Sequence, residues 1–220
     1  FIEAVIFDMD GLMIDSEPMW HIAEKRAFGP LGVTLSDDDC LETTGLRIDQ
    51  VVEHNFSKFG WDSSVYPLAK VTNDIIQHMA EMLAKGAVAK PGLKEAIAFV
   101  QRKKLKMAVA TSSATILIDA ALGYLELKHH FSVFCSAEKE EYGKPHPAVY
   151  ISAAKALGVD PTRCLAFEDS LNGVLAAKAA RMKCIAVPEE THAKNPKFVI
   201  ADKILTSLED LNESVWHSVW

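Results

Sequence analysis

The segment Ala4-Val5-Ile6-Phe7-Asp8-Met9-Asp10-Gly11 runs from four apolar residues of strand character into two carboxylates and a glycine. In an open α/β sheet, ligands bind beyond the carboxyl ends of the strands. Asp8 and Asp10 are therefore expected where such a fold does its chemistry. Two acids this close repel each other unless a cation or a shared proton compensates, and a divalent hard cation is the economical solution. A strand followed by Asp-Gly is also an ordinary turn signal, so the pair alone does not decide between chemistry and a turn.

Three further polar groups recur at the ends of expected strands or in the loops beyond them. They are Thr111/Ser112, Lys144 and Glu168/Asp169. In a parallel sheet all those ends point the same way, which brings sequence-distant residues into one cleft. The combined set suits phosphoryl transfer. A carboxylate nucleophile can form an aspartyl-phosphate, and a second acid can protonate the leaving oxygen and then activate water. Mg2+ and a lysine can neutralise the phosphoryl oxygens, while hydroxyl and backbone N–H groups fix the rest.

The elements that must position these groups alternate from about Lys90 onward. Helices are expected at Pro91 to Arg102, 114–122, Pro147 to Leu157 and Leu171 to Ala180, with Gly123 and Gly158 as stops. Strands are expected at Lys106 to Ala110, Phe131 to Cys135, Arg163 to Phe167, Met182 to Val187 and Lys203 to Leu205. Such alternation predicts an α/β fold, a Rossmann-like doubly wound parallel sheet. The stretch 16–87 differs, with helical patterns at 17–28, 47–59 and 66–84. It reads as a small all-helical cap domain inserted after the first strand, leaving 1–15 and 88–220 as the core domain.

Composition narrows the partners. The 220 residues carry a net charge of −7 without a densely basic stretch, which excludes nucleic acid as the main partner. No apolar run approaches the ~20 residues of a membrane span. No signal peptide is visible, and Cys40, Cys135, Cys164 and Cys184 form no Cys-x-x-Cys pair. Free thiols in a cytoplasmic protein are the expectation. The expected partner is a small phosphorylated metabolite, with the protein itself a monomer.

In order and spacing, Asp8-Met9-Asp10-Gly11, Ala110-Thr111-Ser112-Ser113, Lys144-Pro145-His146-Pro147 and Phe167-Glu168-Asp169-Ser170-x-Asn172-Gly173 resemble the haloacid dehalogenase superfamily. The similarity is to the subgroup of β-phosphoglucomutase and the small sugar-phosphate phosphatases, and it spans essentially the whole chain. It implies Asp8 as nucleophile and Asp10 as general acid/base, with the Asp10 carbonyl also a metal ligand. It implies Asp169 as a ligand to Mg2+ together with Asp8, and Glu168 in the same shell directly or through water. Thr111 and the Ser112 N–H resemble the phosphate-binding second motif, and Lys144 the lysine that pairs with Asp8 and phosphate. In the cap, Arg47 of Thr44-Gly45-Leu46-Arg47 is implied in substrate contact. Trp20 offers a flat face of the kind that packs on sugar rings.

Several neighbours have plainer readings. Ser113 and Ser170 are expected to cap the helices that follow them. Asp15 is expected to shape the hinge, and His146, between two prolines, to be structural. Asp10 argues against a dehalogenase or a transport ATPase and for proton transfer to an alkoxide. The resembled mutases carry a cap histidine where this chain has Trp20, with His21 one residue on. That favours a phosphatase over a phosphomutase, and the segments around Asp10 and Arg47 look most like bacterial hexose- and hexitol-phosphate phosphatases, including those acting on 2-deoxyglucose 6-phosphate. A non-catalytic binding or regulatory protein of the same fold is the remaining alternative.

Overall fold

The computed structural model describes residues 1–190 and 194–219. Strands β1 (Ala4–Phe7), β2 (Lys106–Thr111), β3 (Val133–Ser136), β4 (Cys164–Glu168), β5 (Lys183–Ala186) and β6 (Lys203–Ile204) form one parallel sheet in the order β3-β2-β1-β4-β5-β6. The order reverses at β1, which pairs with β2 on one side and β4 on the other. This is a Rossmann-like doubly wound fold, and the point of reversal is where such sheets bind ligands.

Helices α5 (Leu93–Arg102), α6 (Thr115–Tyr124), α7 (Ala148–Leu157), α8 (Leu171–Ala179) and α9 (Glu213–His217) belong to the alternating part of the chain. The two faces of the sheet are packed differently. Val5, Phe7, Val109, Leu165 and Phe167 meet Leu93, Ile97, Leu117 and Ile118 on one face. Ala4, Ile6, Ala108, Ala110 and Ala166 meet Val149, Tyr150, Ala153 and Val174 on the other. The alanine-rich face lets α7 approach β1, β2 and β3 closely. Phe7 stacks on Phe167 at 5.2 Å between ring centroids, which ties β1 to β4 just below the two acids.

Helices α1 (Glu17–Phe28), α2 (Asp37–Leu41), α3 (Ile48–Phe59) and α4 (Leu68–Gly86) fill the interval between β1 and α5. The chain leaves and re-enters the sheet side by side. Ile14 bridges Ala89, Asp15 N–H donates to Val88 O at 2.9 Å, and Lys90 N–H donates to Met13 O at 2.9 Å. Helix α4 packs on α1 and α3 but also on α6, and its buried Val71, Ile75, Met79 and Leu83 belong to the same apolar cluster as Phe7. The helical insert thus shares its core with the sheet.

Some boundaries depart from expectation. Helix α6 runs through Gly123 to Tyr124, because neighbouring packing outweighs the ~1 kcal/mol cost of an internal glycine. Helix α5 begins at Leu93 rather than Pro91, after Gly92 in the left-handed region. Helix α2 was not expected. It is five residues long and is started by a reciprocal capping pair of Ser36 and Asp39. All four cysteines are free; Cys40, Cys164 and Cys184 are buried and Cys135 is partly so.

Candidate active site

Asp8 follows β1, and its N–H still donates to Phe167 O at 3.0 Å, so the ladder holds the residue in register. The residue is 6% exposed. Lys144 Nζ donates to Asp8 Oδ1 at 2.6 Å, to Glu168 Oε1 at 2.6 Å and to Ala110 O at 3.1 Å. Tyr150, fully buried on α7, donates its hydroxyl to the same Glu168 oxygen at 2.6 Å. In the sequence, the period along α7 marks Tyr150 only as core.

One lysine charge is shared by two carboxylates, and Asp169 stands beside them. Asp8, Glu168 and Asp169 each present an oxygen, all within 4.8 Å of one another. Burial pushes Asp8 up to about 8, the charges of Glu168 and Asp10 add to it, and Lys144 pulls the other way. Burial also pushes Asp169 well above the usual carboxylate range, helped by Asp8 and Glu168. For Lys144, burial works against the charge, but Asp8 and Glu168 outweigh it and hold the ammonium above its ordinary value. The surplus of negative charge and the all-oxygen donor set fit a hard divalent cation. Two glycines make room for the acids. A Cβ on Gly11, at φ +75°, would stand 2.1 Å from Asp169 Oδ2, and one on Gly173 would stand 1.9 Å from Glu168.

Asp10 turns its side chain away from this cluster. Ser16 Oγ at 2.8 Å and Trp20 Nε1 at 3.0 Å donate to Oδ1. Ser113 Oγ at 2.7 Å and Thr111 Oγ1 at 3.3 Å donate to Oδ2. Ser113 was expected to cap α6, but the cap position is Ala114, which has no side-chain oxygen to offer. The Ser113 hydroxyl reaches Asp10 instead. Ser170 does cap α8, accepting from Gly173 N–H at 3.1 Å.

Over residues 5–187 the sequence matches the model of the haloacid dehalogenase-like hydrolases. The chain belongs to this family. It is 41% identical to hexitol phosphatase B of Escherichia coli K12 over 96% of this chain and 94% of that one. The crystal structure of CbbY from Rhodobacter sphaeroides in complex with phosphate aligns with a TM-score of 0.86 at 28% identity, covering 96% of this chain and 97% of that one. The β-phosphoglucomutase of Clostridium difficile shares the fold, with a TM-score of 0.81 at 22% identity over 100% and 97% of the two chains.

The opening of this hydrolase's cleft is lined from the helical insert as well as from the sheet. Trp20 and His21 of α1 both line it, together with Gly45 and Leu46. Ser112 Oγ donates to Gly45 O at 3.4 Å, a contact between the second strand-end motif and the insert. Arg47, which the resemblance implies in substrate contact, has its guanidinium engaged within the protein. Its Nε and Nη2 form a paired contact with Asp49 at 2.7 Å each, and Nη1 donates to Ala137 O at 3.0 Å and Glu140 O at 2.8 Å. Asp49 lies close enough in sequence to hold the guanidinium, and the side chain ties the insert to the loop after β3. Ser16, Ser113 and Tyr150 belong to no motif whose spacing marks chemistry, and only the fold brings their hydroxyls to Asp10 and Glu168.

Proposed function

We propose that this protein hydrolyses small phosphomonoesters, chiefly sugar or sugar-alcohol monophosphates, with Mg2+ as cofactor and through an aspartyl-phosphate on Asp8. The observation that carries this is the buried Asp8 carboxylate at the point where the sheet order reverses, 2.6 Å from Lys144 and beside Asp169. The sugar-phosphate chemistry named in the relatives supports the substrate class.

In this reading an Asp8 oxygen forms a bond to phosphorus as the bond to the alcohol oxygen breaks. Lys144, already against Asp8, faces the phosphoryl oxygens, with Thr111 and the Ser112 N–H as further donors. Asp8, Asp169 and the Asp10 carbonyl are the candidate ligands of the cation, with Glu168 behind them. When bound there, the cation supplies charge neutralisation for the phosphoryl group and the carboxylates. Asp10 gives its proton to the departing alkoxide, then takes one from the water that cleaves the acyl phosphate. An indole N–H can only donate, whereas hydroxyls can turn to accept. Oδ2, flanked by the hydroxyls of Ser113 and Thr111, is therefore the oxygen suited to carry the proton. Residues 16–87 act as the cap that keeps bulk water from the acyl phosphate.

Asp8→Asn tests the reading. Phosphate release from a hexitol 6-phosphate with Mg2+ present is expected to fall to background in the variant, and chelation is expected to silence the wild type. Turnover by Asp8→Asn at the wild-type rate would overturn the nucleophile.

A further inference from the structure

One carboxylate oxygen buried in the cleft lacks a hydrogen-bond partner among the described residues. Glu24 on α1 is 5% exposed and lines the cleft, and its Oε2 is buried without a hydrogen-bond partner among the described residues. Buried carboxylate oxygens in folded proteins are almost always paired, so an orphan in a ligand cleft points to an absent donor.

The helix fixes where that donor must lie. Glu17, Trp20 and Glu24 are spaced by three and four residues, fall on one face of α1, and all line the cleft. Trp20 reaches Asp10. Glu24 stands four residues on, about 6 Å further along the axis from the reacting end. The Cys40 thiol lies beside the Glu24 carboxyl but is only a weak donor, and two stronger donors among the described neighbours are engaged elsewhere. The Thr43 hydroxyl donates to Cys40 O at 3.1 Å, and the Lys25 ammonium is held by Asp37 at 2.6 Å. Val51 and Ile48 make the adjoining wall apolar. An acceptor in such a place welcomes a neutral hydroxyl and repels a second phosphate.

Resting on the phosphatase reading above, we propose that Glu24 is a specificity-determining residue whose Oε2 accepts a hydrogen bond from a hydroxyl of the leaving alcohol, about one helical turn beyond Trp20. The cleft thereby selects polyhydroxy monophosphates over plain alkyl phosphates and over bisphosphates. A site built to bind a hydroxyl rejects the analogue lacking it far more strongly than an apolar pocket rejects a missing methylene, because the site's own polar group is then left unpaired.

The test compares kcat/KM for a hexitol 6-phosphate and for n-hexyl phosphate, with Mg2+, in wild type, Glu24→Met and Glu24→Gln. The ratio of the two values is expected to fall roughly 10- to 100-fold in Glu24→Met and less in Glu24→Gln, which keeps an acceptor. A residue that serves only the fold would lower both substrates alike, and an unmoved ratio overturns the proposal. Hexitol phosphates lacking one hydroxyl at a time, tested on the wild type, require no altered protein. One position is expected to cost a comparable factor, and a series with no such position overturns the proposal. Wild-type enzyme that releases phosphate from none of these esters overturns the phosphatase reading and this proposal with it, whereas release with an unmoved ratio removes only Glu24.

Discussion

The indole N–H of Trp20 donates to Asp10 Oδ1 at 3.0 Å, so the helical insert touches the carboxylate proposed to move the proton. The contact gives Trp20 a polar task besides any packing against substrate. Trp20→Phe keeps a ring and deletes the donor. A hydrogen bond to a charged group contributes about 1.5–3 kcal/mol, so kcat is expected to fall roughly 10-fold or more. In an Asp10→Asn background the same change should cost less than about 2-fold, since the partner is already altered. Equal losses in both backgrounds would show that Trp20 works through its ring face instead.

The pairing of Lys144 with Asp8 and Glu168 leads to a stability prediction. Lys144 is 2% exposed, and its two carboxylate partners are 6% and 0% exposed. Lys144→Met removes the cation and leaves both carboxylates buried without it. Breaking a buried pair in this way costs about 3–5 kcal/mol. Urea denaturation in chelator at neutral pH is expected to show a loss of that order. A midpoint within experimental error of wild type would mean that the acids shed their charge without penalty.

How much of this was visible in the residues follows from the range of each interaction. The four strand-end groups were legible because β-strands are short apolar runs and a parallel sheet gathers their ends. The donor pattern around Asp10 was not legible: Ser16 looks like a helix start and Ser113 like a cap, and only the folded chain brings both to one carboxylate. Nor could the packing of α4 on α6 be read, since an apolar face on a helix does not say which helix it meets. Arg47 is implied in substrate contact by family likeness alone, and its bonds to Asp49 and to the carbonyls of Ala137 and Glu140 are not legible in the residues.

The proposed metal site makes a prediction independent of turnover. A ligand that binds only the folded state stabilises it by about 2.7 kcal/mol at one hundred times its Kd. Mg2+ is therefore expected to raise Tm in the wild type, and Asp169→Asn should abolish most of the rise. Gly11→Ala should have a similar effect without touching a ligand, because the new methyl would meet Asp169 Oδ2 at 2.1 Å and displace it. A full Mg2+-dependent rise in both variants would place the cation elsewhere.

Glu24 also predicts how stability changes with pH. Burial pushes its carboxyl from 4.5 up to about 7, against the opposing pulls of the Cys40 thiol and the Lys25 ammonium. Between those two values the folded protein holds a proton that the unfolded chain has released. The sign follows: the group's contribution is fully present below about 4.5 and is lost as pH rises through about 7. The displacement corresponds to a loss of up to about 3 kcal/mol across that window. Glu24→Gln cannot titrate, so its stability is expected to fall less than that of wild type between pH 5 and pH 8. Glu17 is likewise raised to about 8, by its hydrogen bond with Glu189 and by burial, and Asp8 to about 8 by burial. Both slopes are common to the two proteins and cancel in the difference. Urea denaturation of both proteins at several pH values measures that difference directly. Parallel curves would mean that Glu24 is already ionised at pH 5 and that its orphan oxygen is met by water.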